Sequence, residues 1–367
     1  MDADVPMPAD YSIDWYYAFG GPLGSCLFKS CHEDFLVDEL LPFEPEGEGE
    51  HLFLLIEKKG ENTDWVAGLL ARHAGVRRQS VSYAGRKDRH GIIRQWFCVS
   101  LPGLPDPDWT GLESDTIRII RQARHRKKLK TGALKANDFC ITLRNIDADP
   151  ALVNARLDQI SREGVPNYFG EQRFGHHGRN VEKAIDVMAG KFRVQRNKRS
   201  VYLSAARSWL FNRVLSEKVR EGVWNKFLSG DALGFPDSNS LIFETPDDAM
   251  MMRLDNCELS PTSPLWGRGA LKVTDQALAF EESVTSGYSQ LCDGLERVGL
   301  LQERRVNRLV PQQFTWLWES STEGRSLVLR FRLSKGCFAT SVLRELFECY
   351  EEIHCRENNH VDQEIGH

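Results

Sequence analysis

The order of strand-like and helix-like segments is the feature that most constrains the fold of this chain. Strand patterns dominate up to Gly164, helical periodicity dominates from there to about Val306, and strand patterns then return. A helical stretch between two strand-rich stretches indicates one sheet domain that is interrupted by an insertion and completed by later strands. The sequence therefore predicts a sheet domain from residues 1–163 and 311–367, with a mainly helical domain inserted at 164–310.

Individual elements follow from the same patterns. The sequence Asn62-Thr63-Asp64 is a good helix N-cap, and apolar residues at helical spacing then lead to Gly75, where the helix should end. The strands are predicted at 34–40, 51–58, 116–120, 138–144, 309–318 and 326–333. The other helices are predicted at 151–162, 179–189, 202–221, 246–255, 274–298 and 338–350.

Composition limits the class of protein. Hydrophobic residues make up 41% and charged residues 27% of the 367 positions, which is typical of a soluble globular protein. No apolar run approaches the roughly 20 residues that span a bilayer, and the N-terminus lacks the pattern of a signal peptide. The nine cysteines form no Cys-x-x-Cys pair, which favours a reducing compartment. We therefore expect a cytoplasmic protein without a membrane partner.

Neither a metal nor a stable oligomer is predicted. Histidines and cysteines near the C-terminus lack standard zinc spacing. The predicted helices show no heptad seam, so we expect a monomer.

A charged loop stands out at residues 83–96. One carboxylate, Asp88, lies there among several cationic side chains, between two apolar runs that predict flanking strands. Nearby positive charge should keep this carboxylate ionised, so that it could act as a nucleophile or as a base. The residues alone also allow a simpler interpretation, in which Asp88 caps the loop and its neighbours are solvated.

Basic residues are clustered although the net charge is −5. The clusters lie at 72–94, 118–130, 191–199 and 304–308, while acidic residues gather at 44–50 and after Glu345. A mildly acidic protein with basic clusters can bind RNA on one face. Aromatic residues among these cations would suit unpaired bases, which need stacking surfaces. We find no P-loop, dinucleotide fingerprint or hydrolase signature, so a nucleotide or redox cofactor is not expected.

Four sequence blocks resemble the TruD family of tRNA pseudouridine synthases. They occur in the family's order, and the resemblance extends over most of the chain, roughly residues 26–348. The blocks are AGRKDRH at 84–90, VPNYFGEQRFG at 165–175, RNKRS at 196–200 and GCFATSV at 336–342. The resemblance implies an α+β fold with the mixed sheet and flanking helices of pseudouridine synthases, in circularly permuted order. Residues 164–310 would form the family's inserted, mainly helical TRUD domain.

The resemblance also implies a site. Asp88 would be the catalytic aspartate, and Lys29 the cation paired with it. Phe139 would stack on the target base. The residues implied to line the uridine pocket are Phe35, Asn137 and Phe338. From the basic clusters, we expect RNA-binding residues at Arg86, Lys87, Arg89, Arg126, Lys127, Lys128, Arg196, Lys198 and Arg199. Arg86 departs from the family's usual apolar or amide residue.

The implied activity is the isomerisation of a flipped-out uridine to pseudouridine in tRNA, at uridine 13 of the D arm. Reactant and product have the same composition, so no cofactor is implied. The carboxylate could attack C1′, add to C6 or remove the C2′ proton, and the sequence leaves these routes open. Alternative functions are a non-catalytic tRNA-binding or RNA-folding module, and an RNA N-glycosidase that would release free uracil. The sequence does not reveal which RNAs are substrates, nor a role for residues 1–20 or for the tail after Tyr350.

Overall fold

Residues 11–175, 178–321 and 324–351 are described by the computed structural model. The chain divides into two units, each of which is described by itself. The helical unit contains the described parts of Met1–Gly24, Ala148–Phe314 and Phe331–Glu348. The sheet unit contains those of Ser25–Asp147, Thr315–Arg330 and Cys349–His367. The division into domains at 164 and 310 stays a prediction.

Sixteen strands are found among the described residues. The early strands are β1 (Ser25–Phe28), β2 (Phe35–Leu40), β3 (His51–Lys59), β4 (Val81–Tyr83), β5 (Ile92–Ser100), β6 (Ile117–His125) and β7 (Ala136–Asp147). The middle strands are β8 (Val165–Pro166), β9 (Leu233–Gly234), β10 (Leu241–Ile242), β11 (Ser260–Leu265), β12 (Glu303–Val306) and β13 (Arg308–Leu309). The last strands are β14 (Gln312–Ser321), β15 (Gly324–Ser334) and β16 (Glu348–Tyr350).

The main sheet is mixed. Its strand order is β14-β15-β7-β2-β5-β3-β6, with β1, β16 and β4 paired off this path. Strand β2 runs parallel to β5 and antiparallel to β7, and β3 runs antiparallel to both β5 and β6. Side chains from β3, β5 and the helix Thr63–His73 form one buried apolar cluster. The neighbouring strands β3 and β5 are thereby held as a rigid frame for the loops at their ends.

Eight α-helices are found among the described residues. They are α1 (Thr63–His73), α2 (Pro150–Glu163), α3 (Arg179–Met188), α4 (Arg196–Arg220), α5 (Asp248–Asp255), α6 (Asp275–Thr285), α7 (Ser289–Arg297) and α8 (Ala339–Leu343). Short polar side chains cap three of them, since Asn62, Asp149 and Asp247 each accept a hydrogen bond from a first-turn amide. The helical unit packs around α4 through a buried aromatic cluster that includes Trp209 and Phe211. None of the described helices is long and apolar enough to cross a membrane.

Most of the predicted elements are confirmed, although α4 begins at Arg196 and not at 202, and the strand predicted at 309–318 is divided into β13 and β14. Three others are corrected as follows. The predicted helix 338–350 is wrong beyond Leu343, because residues 348–350 form β16, which pairs with β1. The predicted helix 274–298 is two helices, α6 and α7, separated by a 3₁₀ turn at Ser286–Tyr288. The strand predicted at 116–120 continues to His125, so that part of the basic cluster lies on the edge strand β6.

Candidate active site

The loop that contains Asp88 joins β4 to β5 and is held at several points by side chains of the sheet unit. Gln95 donates through Nε2 to the carbonyl of Gly85 over 2.6 Å. The amide of Lys87 donates to Oγ1 of Thr63 over 3.1 Å. Both supporting side chains are buried. The loop therefore has a defined path although its sequence is rich in charge.

The loop ends at Gly91, where the main chain passes very close to β2. A Cβ atom at this position would lie 2.4 Å from the carbonyl oxygen of Phe35, and the φ angle of Gly91 is +157°. Both the space and the backbone conformation therefore require glycine. The close approach fixes the end of the Asp88 loop against Phe35.

Asp88 forms an ion pair with Lys29. Nζ of Lys29 lies 2.5 Å from Oδ2 of Asp88, and the side chains are 6% and 23% exposed. Oδ1 of Asp88 accepts a hydrogen bond from the amide of His90. Burial acts to raise the pKa of Asp88, but the charge and hydrogen bond of Lys29 outweigh it and hold this pKa below its usual value. The carboxylate is therefore ionised at neutral pH and partly accessible.

Lys29 is itself positioned by aromatic rings. Its Nζ lies 4.8 Å from the ring centroid of Phe28 and 4.5 Å from that of Phe35, distances at which a cation is attracted to a ring face. Glu351 lies 3.5 Å from the same Nζ but is 47% exposed. The backbone of Lys29 has φ of 59°, a left-handed conformation uncommon outside glycine. Such a conformation at an ion pair with a candidate catalytic carboxylate is consistent with a functional constraint.

One face of the β2–β7 pair presents the aromatic and amide residues that the sequence singled out. Val37 pairs with Phe139, and Glu39 pairs with Asn137, so all four side chains share a face. The ring centroids of Phe35 and Phe139 lie 6.1 Å apart. Because Lys29 contacts both Asp88 and the Phe35 ring, the structure brings Asp88, Lys29, Phe35 and Phe139 together.

Asn137 is linked to the same loop through Lys87. Nζ of Lys87 donates to Oδ1 of Asn137 over 2.5 Å and lies 3.7 Å from Oε1 of Glu39. Oε2 of Glu39 accepts a hydrogen bond from the amide of Trp96. Burial lowers the pKa of Lys87 and raises that of Glu39, and their mutual attraction opposes both shifts. Because Lys87 holds the amide oxygen, the Nδ2 group of Asn137 is left as the donor on the opposite side.

Comparison with known proteins decides the family. The family model described as tRNA pseudouridine synthase D (TruD) matches residues 12–193 and 176–346. The chain belongs to the TruD family. The fold prediction is confirmed, as is the predicted enzyme class, an isomerase of the pseudouridine synthase type.

Individual TruD relatives cover nearly the whole chain. The tRNA pseudouridine synthase D of Aeromonas hydrophila subsp. hydrophila is 46% identical over 92% of this chain and 95% of its own length. That of Methylococcus capsulatus is 49% identical over 86% and 89%, respectively. A crystal structure from Methanosarcina mazei, assigned to tRNA pseudouridine synthase D, has a TM-score of 0.71 at 22% identity and covers 92% of this chain and 96% of that one. This last similarity concerns the fold.

Phe338, the remaining residue predicted from the TruD resemblance, lies in the helical unit. Its ring centroid is 5.9 Å from that of Phe169, and Arg173 lies 5.9 Å from the Phe338 centroid. Phe338 is the N-cap of α8 and packs on the aromatic cluster of its own unit. Its place in the uridine pocket stays a prediction.

The predicted RNA-binding cations occupy two kinds of environment. Lys87 is buried and bonded inside the sheet unit, so it is poorly placed to reach a phosphate. The other predicted cations of the sheet unit are exposed, and they are Arg86, Arg89, Arg126, Lys127 and Lys128. Arg126 forms ion pairs with Glu46 and Glu48, and Arg86 forms one with Asp64. The predicted cations of the helical unit are all exposed and lie in the first turn of α4, and they are Arg196, Lys198 and Arg199.

The sequence analysis did not identify the buried polar residues that support the Asp88 loop. Glu39, Lys58 and Gln95 are each at most 3% exposed and bond to the loop or to its neighbours. A signal was available for Lys58, which continues the buried alternation of Leu54 and Ile56 along β3. Among the described residues, no group of three or more histidine, cysteine or acidic side chains could hold a metal ion.

Proposed function

We propose that this chain converts uridine to pseudouridine in tRNA, at uridine 13 of the D arm, with Asp88 as the catalytic carboxylate. The observation on which the proposal depends is the ionised, partly accessible Asp88 carboxylate, held by Lys29 beside Phe35 and Phe139. Membership of the TruD family supports a tRNA substrate, and the choice of uridine 13 rests on the family resemblance.

The reaction breaks the N1–C1′ bond, turns the uracil and joins C5 to C1′. The proton that C5 loses is matched by one gained at N1, so reactant and product have the same atoms. Asp88 serves this reaction as a nucleophile at C1′ or C6, or as a base toward the C2′ proton. Each route needs the carboxylate ionised, which the ion pair with Lys29 ensures. The detached base stays confined next to the sugar, so that recombination is favoured over escape.

The target uridine must leave its stack to reach Asp88, at a cost of a few kcal/mol. Phe139 is half-buried and lies next to Phe35, where it offers a ring for the flipped base. Stacking of a base on an aromatic side chain is worth about 1–3 kcal/mol, enough to offset much of that cost. Nδ2 of Asn137 would donate to a uracil carbonyl, an orientation fixed by Lys87.

Incubation of the purified protein with unmodified tRNA tests the activity. We expect one uridine to become reactive to a carbodiimide specific for pseudouridine, with no change in the mass of the tRNA and no release of uracil. The tRNA should be mapped by primer extension, with a transcript in which uridine 13 is replaced by cytidine as the control. Release of uracil would instead indicate a glycosidase. Binding without any modification would indicate a non-catalytic RNA-binding module.

The first turn of α4 is proposed as a tRNA backbone contact. Replacing Arg196, Lys198 and Arg199 together by glutamine should weaken tRNA binding and lower the slope of log affinity against log salt by about 2 to 3. Fluorescence anisotropy over a range of salt concentrations measures both quantities.

The matched control for this experiment removes the same charge elsewhere on the helical unit. It replaces Arg162, Lys226 and Arg268 by glutamine, three exposed cations outside α4. Equal losses of tRNA affinity in the two triple variants would show that the effect comes from net charge alone. That result would contradict a specific tRNA contact at α4.

A further inference from the structure

Lys58 is a fully buried lysine next to the Asp88 loop. This residue is 0% exposed, whereas the side chain of its neighbour Lys59 on the same strand is 41% exposed. Side chains two apart on a strand share a face, so Lys58 follows Leu54 and Ile56 into the interior of the sheet unit. A methionine or leucine would fill such a position without the cost of burying an amine.

The amine of Lys58 joins two loops through main-chain atoms. Nζ donates to the carbonyl of Asp88 over 2.9 Å and to the carbonyl of Glu61 over 2.7 Å. The first acceptor belongs to the proposed catalytic residue itself. The second belongs to the segment that leads from β3 into α1. Lys58 therefore ties the Asp88 backbone to the rigid part of the sheet unit.

The pKa of Lys58 lies close to neutral pH. Burial lowers the pKa of Lys58 to about 8, while the negative charges of Asp88 and Glu61 act in the opposite direction. The positive charge of Lys87 lowers this pKa further. The amine is therefore charged at neutral pH and loses its proton just above it.

We propose that Lys58 is a positioning residue for the isomerisation, which fixes the main chain of Asp88 and adds a second positive charge beside its carboxylate. This inference rests on the proposed function of Asp88. Lys29 holds the carboxylate oxygen, and Lys58 holds the carbonyl of the same residue, so both ends of Asp88 are restrained. The loop contains Gly85 and ends at Gly91, and a displacement of about 1 Å in a reacting group costs on the order of 100-fold in rate.

The test replaces Lys58 by methionine, which keeps the length of the side chain and removes the amine. We expect the single-turnover rate of pseudouridine formation to fall on the order of 100-fold, while the Kd for tRNA changes less than about twofold because Lys58 is buried. The control is Lys59→Met, the same change at the next residue of β3, where the side chain is exposed and pairs with Glu33. The control should keep the wild-type rate.

A pH profile separates this role from simple structural support. The wild-type rate should decline as the pH rises through about 8, because Lys58 then loses its charge. The Lys58→Met variant should lack that decline, and Lys59→Met should retain it. The pH profile of the wild-type protein tests the proposal by itself. A wild-type rate that stays constant from pH 7 to about 9.5 overturns the proposal even if Lys58→Met fails to fold.

Failure of this inference is distinguishable from failure of the proposed function. A normal rate and an unchanged pH profile in Lys58→Met, with Asp88→Asn inactive, would overturn the role of Lys58 alone. An active Asp88→Asn enzyme would instead remove the assignment on which the inference rests. Equal losses of rate and of tRNA affinity in Lys58→Met would mark a structural role and also overturn the proposal.

Discussion

Replacing Asp88 by asparagine should lower the rate of pseudouridine formation by at least about 10³-fold, the scale of loss seen when a residue that does the covalent or proton-transfer chemistry is removed. Asparagine has the shape of aspartate, and its Oδ1 can still accept the hydrogen bond from the His90 amide. The substitution removes the negative charge that each of the three routes needs. Binding of tRNA should change little, because the nearby cations are all retained.

The measurement compares two quantities on the same preparation, the single-turnover rate of pseudouridine formation and the Kd for tRNA. Asp38→Asn is the matched control, since Asp38 also forms an ion pair, with Arg94, and lies on β2. Its side chain is on the face of β2 opposite Val37 and Glu39. The control should therefore keep the wild-type rate.

The Asp88→Asn variant also leaves Lys29 without its main partner. A buried cation that loses its partner is destabilising by about 3–5 kcal/mol, and Glu351 at 3.5 Å relieves part of this. Thermal unfolding must therefore be measured alongside activity. A stable, tRNA-binding Asp88→Asn protein with near-normal turnover would show that Asp88 is not the catalytic residue.

Local sequence signals were sufficient where the structure is determined locally. The Asn62 cap and the apolar spacing behind it predicted α1 to within a residue or two. The charged segment between two apolar runs predicted β4, the Asp88 loop and β5. In each case the residues that decide the conformation lie within about ten positions of one another.

Local sequence signals gave the wrong secondary structure where a segment pairs with a strand that is distant in the sequence. Residues after Leu343 have helical composition, but the strand β16 pairs with β1, more than 300 residues earlier. The amide of Glu348 donates to the carbonyl of Gly24, a bond that no local pattern reveals. The available hydrogen-bonding edge of β1 therefore overrides the helical preference of the segment.

The environment of Lys87, within the candidate site, could not be predicted from local sequence either. A lysine among arginines in a charged loop predicts a solvent-facing side chain. The side chain is in fact buried against Glu39, 48 positions earlier, and Asn137, 50 positions later. The sequence can thus locate a charged loop, but the fold decides which of its cations face a ligand and which support the backbone. In this loop Lys87 is a support, while Arg86 and Arg89 are exposed.

Lys29 is expected to set the pH range in which Asp88 works. In the wild type, the charge of Lys29 and its hydrogen bond outweigh burial and hold the pKa of Asp88 below its ordinary value of 3.8. In Lys29→Met the burial remains and the opposing charge is gone, so the pKa of Asp88 should rise above 3.8. The stem of methionine keeps the packing on Phe28 and Phe35.

A raised pKa makes a protonated, inert Asp88 more abundant as the pH falls. The Lys29→Met rate should drop about 10²-fold even at neutral pH, where Asp88 is still ionised, because a preorganised charge beside the reacting group is lost. The loss should grow further as the pH falls toward the raised pKa, because Asp88 is then increasingly protonated. The acid limb of the rate profile should lie at least about one pH unit above that of the wild type, equivalent to about 1.4 kcal/mol.

Lys29→Arg is the control, because it retains the positive charge beside Asp88 and should keep the acid limb close to its wild-type position. Rates measured from about pH 4 to 8 on the three proteins, with tRNA in excess of its Kd, separate protonation from binding. A Lys29→Met rate that is reduced by the same factor at every pH would contradict an effect through Asp88 ionisation. Lys29 would then act on the uridine directly, as a donor to the sugar or the base, and the ion pair would serve to place the lysine rather than the aspartate.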